Sequence, residues 1–288
     1  MDKILSGLAK FGLDENLVNS LFEEESSSSK KGAGPEAAKV VEPPKETDFL
    51  LLKTVRCPIC DGTFRTLAIK SGRAKRKEPD LDLRPRFEYI DTNKYDIASC
   101  PKCGFTAIHR YFGNLAPVHA KLIKEGVLMK FNKFPGKVIT EVETVSYDTA
   151  IDLYKIALYT SVVKKAKNSE KAYTCLKIAW LLRGKMEELS VDAEKNKEAI
   201  AACQKEYDTF YKQAFDGFVK AMSSESYPLA GMDQSTVDLL IAAMAYNLGQ
   251  YEYASRFVSG LIVSRTAGAN IKNRAHDLKE KIVEKLKK

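Results

Sequence analysis

Two cysteine pairs constrain this chain more than any other feature: Cys57-Pro58-Ile59-Cys60 and Cys100-Pro101-Lys102-Cys103. Each is a Cys-x-x-Cys with proline inside, and turn residues follow each, Asp61-Gly62 in one and Gly104 in the other. Together Cys57, Cys60, Cys100 and Cys103 offer four thiolates to one tetrahedral ion, which predicts a structural zinc (Zn2+) site. The 39 residues between Cys60 and Cys100 exceed the common spacing, but the entropy of closing a loop grows only slowly with its length. A single Cys-x-x-Cys can also be a redox dithiol; two pairs with matched turns favour the metal. Four thiolates already fill a tetrahedron, so His109 and His119 are not needed as ligands.

The remaining cysteines, Cys175 and Cys203, stand alone in helical stretches, where a free thiol behaves as a small core hydrophobe. Six cysteines in 288 residues do not make a disulfide framework, which points to a reducing compartment. No apolar run approaches the length of a membrane span. The opening Met1-Asp2-Lys3 begins no cationic, then apolar, leader. The expectation is a cytoplasmic protein with no membrane span. Lys and Arg number 46 against 38 Asp and Glu, a net charge of +8. That bias permits contact with nucleic acid without demanding it.

Four sections follow from patterning. Residues 1–25 place Ile4, Leu5, Leu8, Phe11, Leu17, Val18, Leu21 and Phe22 at amphipathic helical spacing, an expected helical arm. Residues 26–47 open on Ser26–Ser29 and continue in Lys, Gly, Pro and Glu, an expected disordered linker. Residues 48–140 carry the knuckles and strand-like runs at Phe49–Val55, Phe64–Ile69, Arg86–Ile90 and Tyr95–Ala98. Residues 141–288 read as helical. There Tyr147-x-x-Ala150-x-x-x-Tyr154-x-x-Ala157 recurs as Tyr211-x-x-Ala214-x-x-x-Phe218-x-x-Ala221, and again as Tyr251-x-x-Ala254-x-x-x-Val258-x-x-Leu261. Small residues at fixed offsets let helices approach closely, so a tetratricopeptide-like array is expected, irregular because the copies are 64 and 40 residues apart. The fold class is α+β: a small zinc-ribbon β domain, then an all-α tetratricopeptide-like domain.

Two further stretches carry candidate chemistry. Between Arg65 and Lys77 there are six cations and no acid. Arg73, Lys75, Arg76 and Lys77 could bind phosphate, sit at a solvated hairpin tip, or offset the charge of a four-thiolate metal site. The segment Asp80-Leu81-Asp82-Leu83-Arg84-Pro85-Arg86-Phe87 alternates strictly. As an extended strand it would set Asp80, Asp82, Arg84 and Arg86 on one face. The two carboxylates form a candidate second metal site and the two guanidiniums a candidate anion site. The plainer reading is a strand with one buried face and one salt-bridged face.

The ordered set Cys57-Pro58-x-Cys60, Asp80-x-Asp82-Leu83-Arg84-Pro85, Tyr95-Asp96 and Cys100-Pro101-x-Cys103-Gly104 resembles an uncharacterised bacterial family, domain of unknown function 2225. Ala179-Trp180-Leu181-Leu182-Arg183 in the helical half is similar too, and the resemblance covers roughly residues 48–288. It implies a zinc ribbon joined to tetratricopeptide-like helices in a cytosolic bacterial protein. It supplies no activity, so no catalytic residue is carried over. The leading expectation is a non-enzymatic adaptor for a protein partner. The alternatives are a nucleic-acid-binding ribbon using residues 65–77, or a metal-dependent enzyme acting on phosphorylated substrates through Asp80–Arg86.

Overall fold

A computed structural model describes residues 43–113, 115–131, 134 and 137–287. The expected helical arm and most of the expected linker lie outside the described residues. Among the described residues three antiparallel strand pairs precede the helices: β1 (Leu50–Arg56) with β2 (Thr63–Ile69), β3 (Arg76–Lys77) with β4 (Arg86–Phe87), and β5 (Ile97–Ser99) with β6 (Thr106–Ile108). Eight helices follow among the described residues: α1 (His109–Phe112), α2 (Pro117–Ile123), α3 (Tyr147–Val163), α4 (Asn168–Leu189), α5 (Lys197–Ser224), α6 (Gln234–Asn247), α7 (Tyr251–Val263) and α8 (Ala269–Leu286). The chain is mixed α+β with a mostly helical C-terminal part.

β1 and β2 lie within a residue of their expected bounds, because β-branched and aromatic residues there meet in register, Val55 opposite Phe64 and Leu50 opposite Ile69. The expected strand at Tyr95–Ala98 shifts. Asp91 accepts a hydrogen bond from the Asn93 backbone N–H and starts a helical turn over Thr92–Tyr95, so the strand begins only at Ile97. β6 escaped notice since its three residues are all buried and show no alternation.

Two of the long helices start at a side-chain cap. Ser146 caps α3 through the Thr149 N–H at 3.2 Å, and Asp233 caps α6 through the Thr236 N–H at 2.8 Å. The recurring positions fall on α3, α5 and α7. Ala150, Tyr154 and Ala157 are buried, as are Tyr211, Ala214, Phe218 and Ala221, and Ala254, Val258 and Leu261. α4 packs against both α3 and α5, and α7 against both α6 and α8. The uneven spacing of the copies reflects the lengths of α4 and α5, 22 and 28 residues.

Residues Pro44–Lys288 form one compact unit. Ile97 of β5 and Ile108 of β6 share a core with Ile151 and Tyr154 of α3 and Ile178, Leu181 and Leu182 of α4. Among the described residues no helix is long and apolar enough to cross a membrane.

Candidate metal centre

The knuckles form the tips of two hairpins, Cys57–Cys60 between β1 and β2 and Cys100–Cys103 between β5 and β6. Their backbones match. The N–H of Cys57 donates to the Gly62 carbonyl at 2.9 Å, and that of Cys100 to Phe105 at 2.9 Å. The N–H of Asp61 returns to the Cys57 carbonyl at 3.0 Å, and that of Gly104 to Cys100 at 2.9 Å. The fourth residue after each leading cysteine is left-handed, Asp61 at φ 58° and Gly104 at φ 73°. At the second knuckle glycine is needed twice over. Beyond the positive φ, a Cβ on Gly104 would lie 2.3 Å from the Phe131 ring.

The four Sγ atoms lie within 4.8 Å of one another. Cys57 and Cys103 are 3.5 Å apart and Cys60 and Cys100 3.7 Å. A disulfide would need about 2.05 Å. The edge of a tetrahedron built on bonds of about 2.3 Å from metal to sulfur is about 3.8 Å, so the cluster fits a four-thiolate metal site. Cys57, Cys100 and Cys103 are buried, Cys60 partly so. Phe64, Phe105 and Phe112 pack beneath them, with Phe105 stacked on Phe112 at 4.8 Å between ring centroids. The thiols share their protons unequally: the hydrogen bond from Cys103 pulls Cys57 down to about 5, the same bond holds the Cys103 proton well above the usual thiol range, and burial pushes Cys100 up to about 11. His109 takes no part in the cluster; its Nδ1 lies 3.7 Å from the Asp96 carboxylate.

The second candidate segment does not run as one strand. Asp80 N–H donates to the Arg84 carbonyl at 3.0 Å and Leu83 N–H to Asp80 at 2.9 Å, closing a tight turn with Leu83 at φ 66°. The turn drives Asp82 and Arg84 inward, to 0% and 2% exposure. Asp82 accepts from Arg183 at 2.6 Å and from the Trp180 indole at 3.2 Å. Arg84 reaches Glu187 at 2.9 Å and Asp91 at 3.1 Å. Arg86 holds Asp80 at 2.7 Å and Glu187 at 2.6 Å. Three guanidiniums thus meet four carboxylates, Asp80, Asp82, Asp91 and Glu187, and the segment's charges are engaged with one another.

The partners missed in sequence come from α4. Lys177, Trp180, Gly184 and Glu187 are three, four and three residues apart, one stripe on a helix. Lys177 is buried and donates to Asn93 and Asp96 at 3.0 Å each. A Cβ on Gly184 would lie 2.6 Å from the Tyr147 ring and 2.8 Å from Arg84, so only glycine lets that pair lie against α4. A polar stripe on an otherwise buried helix was the available signal, since buried charges need partners.

The basic stretch divides. Arg65 donates to the Thr140 carbonyl and Lys70 to that of Asp48, at 2.9 and 3.0 Å. Lys75 pairs with Glu88 at 3.3 Å. Arg73, Arg76 and Lys77 are exposed.

No curated protein and no solved structure matches the chain. A family model does, over residues 50–282, a span that takes in both knuckles, the Asp80–Arg86 turn and the α4 stripe. The chain therefore belongs to the family described as an uncharacterized protein conserved in bacteria, domain of unknown function 2225.

Proposed function

We propose that this chain is a zinc-stapled, non-enzymatic adaptor of the bacterial cytosol whose helices bind a protein partner. The observation that carries this reading is the burial of the recurring Ala positions on α3, α5 and α7 and of Tyr154, Tyr211 and Phe218 beside them. That is the packing a tetratricopeptide-like array of helical hairpins requires, and stacked hairpins offer an extended surface for a partner. An all-thiolate set selects zinc as a soft-ligand structural ion, and four protein ligands make a closed site. Exposed apolar side chains also support the reading: Tyr159 and Val162 on α3, and Leu128 and Met129 just beyond α2. The two segments are joined by the Tyr159 hydroxyl, which donates to the Gly126 carbonyl at 3.1 Å.

The test is affinity capture from native bacterial lysate with nuclease present. A specific protein should co-purify with the wild type and be lost with Val162→Asp, while the fold, read by circular dichroism, is unchanged. Capture that vanishes with nuclease would refute the adaptor. A second reading, nucleic-acid binding, rests on the exposure of Arg73, Arg76 and Lys77. It requires RNA or DNA binding that persists at physiological salt and disappears when Arg73, Lys75, Arg76 and Lys77 are all changed to Ala.

A further inference from the structure

A cavity of about 680 Å³ opens between strand β3 with the turn that follows it and helices α4, α6 and α8. Small-molecule sites run from roughly 300 to 1,000 Å³. Its charge is one-sided: Arg76, Lys77 and Arg274 line it, against Glu78 alone among the acids. Arg274 is the informative member. It is half-buried, and its guanidinium donates to the backbone carbonyls of Asp80 at 2.7 Å and Leu81 at 3.4 Å. It meets no carboxylate among the described residues, and neither do Arg76 and Lys77. Neutral carbonyls fix the direction of a guanidinium without cancelling its charge, so Arg274 is a pinned cation whose counter-ion no described residue supplies. The first turn of α8 borders the same space through Asn270 and Ile271. That turn holds no acid, and its N-cap residue, Gly268, has no side chain to cap it, which adds partial positive charge on the same side. Tyr173 and Trp180 give the same space aromatic lining.

We propose that this cavity binds a small phosphomonoester carrying an apolar or planar group. The phosphoryl group lies against Arg76, Lys77 and Arg274, and the organic part lies against Tyr173 and Trp180. A guanidinium and a phosphate match in geometry and charge, and an aromatic wall rewards an organic substituent over bare phosphate. The site goes beyond the adaptor reading and does not depend on it.

Trp180 is the only tryptophan in the chain, so its emission reports on this cavity. The full chain is titrated at constant ionic strength with inorganic phosphate, with phenyl phosphate and with a short oligouridylate. The expected result is a saturable change with phosphate and tighter binding of phenyl phosphate. Arg76→Ala/Lys77→Ala, both exposed positions, should weaken both by about tenfold, the usual worth of a charge-assisted hydrogen bond. Arg274→Gln should do the same; because it also releases the Asp80 turn, the surface pair is the decisive variant. A linear, unsaturating response overturns the proposal. So does phosphate binding that the surface pair leaves unchanged. Oligouridylate binding more tightly than phenyl phosphate would also overturn it, assigning the cations to nucleic acid instead.

Discussion

At the residue scale, the cysteine cluster and the Asp82–Arg183 pair carry the sharpest consequences. Cys100 and Cys103 both hold their protons above neutral pH, so a metal ion that takes all four thiolates must displace at least these two protons on binding. The sign follows: each proton competes with the metal, so affinity falls as pH falls. Calorimetric zinc titration in two buffers of different ionisation enthalpy measures the count; no proton release at neutral pH would contradict the assignment. Asp82 is fully buried and its charge is met chiefly by Arg183. Arg183→Met should cost about 3–5 kcal/mol by stranding that carboxylate, whereas Asp82→Leu together with Arg183→Met should recover much of the loss. Urea denaturation of the two variants gives the comparison. If the double variant is no more stable than the single, the loss comes from packing and not from the stranded charge. Gly184→Ala, which drives a methyl group into Tyr147 and Arg84, should cost about 1–3 kcal/mol in the same assay.

At the element scale, α4 joins the strand segments to the helices, through its apolar residues and through its stripe of Lys177, Trp180, Gly184 and Glu187. That joint is acid-sensitive. Burial alone would raise Asp80 and Glu187, but the Arg86 hydrogen bond and the neighbouring guanidinium charges outweigh it, and both carboxyls titrate below their usual range. Asp96 is lowered likewise, burial being overcome by His109 and Lys177. Over that range the unfolded chain binds more protons than the folded one. The stabilisation is therefore complete above the ordinary carboxylate pKa of about 4 and is lost as pH falls through the lower folded values. Melting temperature should drop steeply on acidification, and Glu187→Gln should make the drop shallower. An equal slope in the variant would remove Glu187 from the account.

At the scale of the whole molecule, the hairpin β5–β6 carries half the cysteine cluster on its tip and puts Ile97 and Ile108 into the core of α3 and α4. From sequence alone, loss of the metal is expected to unfold residues 48–140 and spare the helices. The shared core changes that expectation. Chelation, or Cys57→Ser, should lower one cooperative transition as a whole, because the ion binds only the folded state. Far-ultraviolet circular dichroism, which follows the helices, and Trp180 emission, which follows the joint, should then trace the same curve. Two separated transitions would show that the halves fold independently.

Features set by local chemistry can be read directly from the order of residues. The matched Cys-Pro-x-Cys pairs with their turn residues named all four members of the cluster, since a knuckle is encoded within six residues. The strands β1 and β2 and the buried faces of α3, α5 and α7 were likewise legible, from runs of β-forming residues and from small residues at helical offsets. The fate of Asp80, Asp82, Arg84 and Arg86 was not. Alternation described them as one polar face, but a left-handed turn at Leu83 folds that face inward, and its partners Arg183 and Glu187 lie about a hundred residues further along the chain. Only the tertiary structure brings them together. Ion pairing depends on distance in space, and nothing in a local pattern states which distant helix turn will supply the counter-charge.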